Sequence, residues 1–166
     1  MRKPLLVLLA LAAAATAGAD ESIVHRSGEP DVFRVPAEDA HMSAATGKAR
    51  ASVELFIAAF TNAGAHQRSF AIKVPVIDGT HVEHFWMDIE SFSNGQFTGR
   101  IANEPLDVRN VHLGDRIVVD KERISDWMYV DHGRLIGGFT LLALRELMTA
   151  ADRKAFDATL PFEIGD

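Results

Sequence analysis

Two alternating runs, SFAIKVPV (69–76) and HVEHFWMDI (81–89), flank the dipeptide Asp78-Gly79. Successive side chains of a strand point to opposite faces, and an Asp-Gly step between two such runs is the signal for a two-residue hairpin. That loop length sets a register: Phe70 opposite Met87, Ile72 opposite Phe85 and Val74 opposite Glu83. One face is then apolar except at Glu83. The other carries Lys73 opposite His84, Ala71 opposite Trp86 and Ser69 opposite Asp88.

A second turn, Ser93-Asn94-Gly95, leads into a third strand. A two-residue loop alone would put Phe97 and Ile101 on the face of His84 and Trp86, so a three-residue loop with Gly95 in a left-handed bulge is expected. Asp88 then opposes Arg100, Trp86 opposes Ala102 and His84 opposes Glu104. Residues 116–120 and 125–130 read as two further strands, closed by Asp131-His132-Gly133. Before the sheet, Met42, Ala45, Ala49, Val53, Phe56, Ile57 and Phe60 recur at steps of three and four, predicting one long helix that ends near residues 62–64 and is softened by Gly47. After it, Leu141, Leu144 and Leu147 predict a helix over about 140–148, and Thr149 suits the cap of a last short one. The expected fold is α+β: an antiparallel meander of about five strands packed with a long N-terminal helix and a C-terminal helix. Phe56, Phe60, Ile72, Phe85, Met87 and Ile89 should form its main core.

Residues 1–19 have the form of a secretory signal: basic Arg2 and Lys3, an apolar run over 5–15, and Ala17-Gly18-Ala19 as the cleavage site. The run is shorter than the roughly 20 apolar residues that cross a bilayer, so no stable membrane insertion is expected after cleavage. Polar residues 20–36 read as a flexible leader and 37–166 as one α+β domain. The expected location is periplasmic or secreted. Losing Arg2 and Lys3 makes the formal charge of −6 more negative still, which disfavours nucleic acid as a partner. With no cysteine, disulfides and a lipidated-cysteine anchor are excluded.

The candidate site residues are Lys73, Glu83, His84, Trp86, Asn103, Asp126 and Trp127. Trp86, flanked by Ala71 and Ala102, needs either a covering helix or a partner. Glu83, if buried, must be paired, whether with Arg134, a backbone amide or a polar network that includes Asp126. Asp126-Trp127 repeats the pairing of acid and indole, with core packing of Trp127 as the structural reading. His81 and His84 lie three apart on a strand, on opposite faces, so they do not jointly hold an ion, and no metal is expected. Neither a nucleophile elbow, a phosphate loop nor a dinucleotide fingerprint occurs, so no cofactor is expected.

The segments FAIKVPV, EHFWMDI, FTGRIANEP, LGDRIVV, ISDWMYV and GGFT, in that order, resemble the YegJ-like bacterial family, domain of unknown function 2314. The resemblance runs from the long helix to the end, with Lys73, Glu83, His84, Trp86, Gly99, Asn103, Pro105, Gly114, Asp115, Asp126, Trp127 and Gly138 at motif positions. It implies one domain and its boundaries, with no activity attached. Two functions stay open. One is a non-catalytic binding or interaction module with a protein or small-molecule partner in the envelope. The other is a hydrolase using Glu83 with His84 or Asp126 as acid and base.

Overall fold

The computed structural model describes residues 39–165, together with the backbone of three short strands before them: β1 (Leu11–Ala13), β2 (Ser22–Arg26) and β3 (Glu29–Arg34). The expected cleavage after Ala19 and the rest of the leader lie outside the described residues. Then follow α1 (Ala40–Ala51), α2 (Val53–Thr61), β4 (Gln67–Asp78), β5 (His81–Ser93), β6 (Gln96–Ile101), β7 (Arg116–Asp120), β8 (Asp126–Asp131), β9 (Arg134–Gly137), α3 (Phe139–Leu147) and α4 (Ala150–Thr159). Strands β4 to β9 form an antiparallel sheet in the order β7-β6-β5-β4-β8-β9. The class is α+β as expected, but the path is a meander only as far as β7. A 3₁₀ turn at Lys121–Arg123 then carries the chain back to set β8 beside β4. The sixth strand, β9, spans only four residues and carries no alternation long enough to read from the sequence.

The first hairpin turns one residue later than expected. Asp78 pairs with His81, leaving Gly79 (φ +59°) and Thr80 as the loop, with glycine at the first position as a type II′ turn requires. The register moves by two, so the faces survive while the neighbours change: Ile72 faces Met87, Lys73 faces Trp86 rather than His84, and Pro75 faces His84. At the second turn the opposite happened. Met87 faces Ile101 and Asp88 faces Arg100, as expected, but through a different device. Asn94 (φ +50°) and Gly95 (φ +77°) form a two-residue type I′ turn, and a bulge between Ile89 and Ser91 absorbs the odd residue.

The predicted long helix is two helices, α1 and α2, joined at Ser52. The Trp127 indole donates to the Ala49 carbonyl at 2.9 Å and reaches Ser52 Oγ at 3.2 Å, while Ser52 Oγ bonds back to the Lys48 carbonyl at 2.7 Å. A side chain inserted into the ladder of helix hydrogen bonds breaks it, which no periodicity reveals. Asp39 caps α1 by accepting from the Met42 amide.

Two layers cover the sheet. On one face Ala49, Val53 and Phe56 pack on Ile72, Val74, Met87, Phe97 and Trp127. Phe56, Ile72, Phe85 and Met87 are fully buried as predicted, while Phe60 and Ile89 are only half-buried. On the other face Ala71, Trp86, Met128 and Val130 meet Leu141 of α3 and Phe162 of the C-terminal segment. Trp86 is therefore covered by the protein itself, 1% exposed.

Candidate functional site

Glu83 sits on the face of Phe85 and is wholly buried. Its two oxygens accept from three successive backbone amides: Leu106 at 3.0 Å to each oxygen, Asp107 at 3.1 Å and Val108 at 3.4 Å. An ionised carboxylate indoors has to be compensated by donors, and here an irregular loop supplies them. In return the loop between β6 and β7 is fastened, which seats Val108 and Val111 against Phe85 and Ile101. Of the partners expected, the backbone amide is the one found.

Across the sheet lies a second polar cluster, on the face of Trp86. Asp126, also wholly buried, accepts from the Trp127 amide (2.8 Å), the Phe139 amide (3.1 Å), and the Thr140 amide and hydroxyl (both 2.7 Å). Gly138, the residue before α3, has no side chain to cap that helix. Asp126 caps it from a distance, placing negative charge at the positive end of the helix dipole. Burial raises the Asp126 carboxyl above its ordinary range, against the opposing pull of Thr140 and Lys73. Lys73 is equally buried: its ammonium donates to Thr140 Oγ1 at 3.4 Å and lies 5.4 Å from the centre of the Trp86 ring. Burial lowers it to about 8, with Asp126 opposing. The lysine is held by charge and by the indole face rather than by a close hydrogen bond.

His84 is half-buried at the rim, its Nδ1 2.8 Å from Ser125 Oγ. The Ser125 hydroxyl also lies 3.2 Å from the Lys73 carbonyl, so it bridges the imidazole and the β4 backbone, and the tautomer of His84 decides which of the two groups donates in their contact. Burial first, then the charges of Lys73 and Arg50, lower the imidazole to about 4. Asn103 Oδ1 accepts the Trp86 amide at 2.9 Å and so continues the β5 ladder past the end of β6.

The sequence therefore named two clusters rather than one. Lys73, Trp86 and Asp126 come together, with His84 at their rim and Asn103 on the Trp86 backbone. Glu83 and Trp127 stand on the other face, Trp127 in the aromatic core 5.5 Å from Phe56. Glu83 joins neither Asp126 nor Arg134, whose carboxylate neighbour is Glu163. Sequence reasoning missed Ser125, Thr140 and the 106–108 amides. The FT after Gly137-Gly138 marked a helix start for Thr140, but backbone amides of a loop carry no sequence signature. Among the described residues, no three His, Cys, Asp or Glu side chains are placed to hold a metal ion.

A family model described as "Uncharacterized protein conserved in bacteria (DUF2314)" matches residues 39–164. The chain belongs to this family. Among curated relatives, it is 40% identical over 100 residues to "Uncharacterized protein YegJ" of Escherichia coli (strain K12), covering 60% of this chain and 64% of that one. It is 38% identical over 99 residues to "Putative ankyrin repeat protein NMB1133/NMB1171" of Neisseria meningitidis serogroup B, covering 57% of this chain and 39% of that one. The matched stretch thus spans less than two thirds of either relative's length. No solved structure matches.

Proposed function

We propose that this DUF2314 chain is a non-catalytic binding module that acts outside the cytoplasm. The observation that carries the reading is the state of the two buried carboxylates. Glu83 and Asp126 lie on opposite faces of one sheet, and each has its oxygens filled by the protein's own amides and, for Asp126, by a threonine hydroxyl. An acid and a base must reach the same substrate, and these two reach only the structure they fasten. Further support comes from the Neisseria relative, in which a similar stretch is part of a longer chain named for ankyrin repeats. Repeat arrays of that kind present extended binding surfaces, so a module joined to one fits an interaction role. The signal-like residues 1–19 support export.

The test is to recover the processed chain from its own cell envelope, sequence its N-terminus and identify what co-purifies in fixed proportion. A start at Asp20 with one saturable partner is the expected result. An intact Met1 in the membrane fraction would overturn the location, and hydrolytic turnover abolished by Glu83→Gln would overturn the binding role.

A further inference from the structure

Strand β7 forms an edge of the sheet. Among the described residues β7 bonds to β6 alone, and β6 lies between it and β5. The bonds Ile101 N–H to the Asp115 carbonyl and Lys121 N–H to the Gly95 carbonyl bracket the pair, so the backbone groups of odd-numbered β7 residues point toward β6. By alternation, the N–H and C=O of Arg116, Val118 and Asp120 point away from the sheet. Edge strands are usually blunted by a proline, a bulge, an inward lysine or a covering segment. The strand RIVVD has no proline and pairs regularly with β6; its two charges, Arg116 and Asp120, are of opposite sign and so do not repel a second copy laid antiparallel.

We infer that this edge binds a second copy of the chain, antiparallel, about a two-fold axis through Val118. In that register Val118 faces its own equivalent, and Arg116 of each copy faces Asp120 of the other. All three pairs fall where the outward backbone groups meet, so each exchanges two hydrogen bonds. The sequence is self-complementary, as an interface using the same patch on both copies demands. Val118, 55% exposed although apolar, gains a neighbour, and Ile117 meets Val119 of the other copy on the opposite face, extending the core layer across the junction. Arg116 already donates through Nε to Glu90, and Asp120 accepts from Gln96 through Oδ1. A guanidinium carries five N–H groups and a carboxylate several lone pairs, so both keep capacity for the second contact. Five residues a side fall short of the roughly 1,600 Å² of a standard stable interface, so the dimer is weak and concentration-dependent.

Analytical ultracentrifugation of the processed chain over a concentration series tests this, with circular dichroism to show that each variant is folded. A reversible monomer–dimer equilibrium is expected. Val118→Lys sets two ammonium groups face to face and should weaken it at least about tenfold. Arg116→Asp alone opposes two carboxylates, and Asp120→Arg alone opposes two guanidiniums, so each should be monomeric. Mixed together they complement at both positions, and a heterodimer should form. A processed chain that is monomeric throughout, a dimer indifferent to Val118→Lys, or a mixture that stays monomeric would each overturn the proposal.

Discussion

Burial decides what the individual polar residues do, and His84 shows how this can be measured. In the unfolded chain its imidazole titrates near 6.5, whereas burial and the nearby Lys73 and Arg50 lower it to about 4 in the fold. Between those values the unfolded chain holds a proton that the folded chain refuses. The stability His84 contributes is therefore fully present above 6.5 and is lost as the pH falls toward 4, at up to about 1.4 kcal/mol per pH unit. Asp126, raised by burial, pulls the other way over acid pH, so the total slope mixes the two. Denaturant titrations of the parent and His84→Gln at each pH remove the shared part. The gap between the curves should shrink from pH 6.5 to 4; a gap constant with pH would mean that His84 titrates normally. The faces of Lys73, Glu83, His84 and Trp86 were legible from alternation alone, whereas Asp126, expected in a network with Glu83, lies on the opposite face with Lys73 and Thr140. Their partners were not, because Ser125 and Thr140 arrive from distant segments and the 106–108 amides belong to no side chain.

The elements themselves were largely readable where their determinants are local. Turn dipeptides located both hairpins of β4, β5 and β6, and the apolar period located α1, α2 and α3. Two errors had different causes: at Ser52 a tertiary contact from Trp127 divides the long helix, and at the first hairpin Gly79 rather than Asp78 opens the turn, a choice between two turn types that the same local sequence permits. The junction between β9 and α3 is the sharpest instance. Gly137 has φ +77°, and a Cβ placed there would lie 2.4 Å from the Trp127 carbonyl oxygen and 2.5 Å from its ring. The same Trp127 carbonyl accepts the Gly138 amide at 2.8 Å, just before the helix that Asp126 caps. Gly137→Ala therefore collides with the core and strains the backbone together, and should destabilise by roughly 2–4 kcal/mol. An exposed glycine in left-handed backbone, Gly114, has nothing within 4 Å of its would-be Cβ, so Gly114→Ala should cost clearly less. Equal losses in a thermal or urea titration would show that conformation alone, without the Trp127 contact, sets the requirement at Gly137.

At the scale of the whole molecule, one sheet divides two layers, and each layer is fastened by its own buried carboxylate. Glu83 ties the loop between β6 and β7 beneath the layer that α1 and α2 cover; Asp126 and Lys73 tie α3 to the other side. These fasteners are independent and structural. A double-mutant cycle of Glu83→Gln and Asp126→Asn in reversible denaturant unfolding tests this most directly. Each single change should be destabilising, by about 1–3 kcal/mol, because well-placed donors are left facing a poorer acceptor. The two losses should add to within about 0.5 kcal/mol, as separate sites do. A coupling above about 1 kcal/mol would contradict the account and place both carboxylates in one shared site.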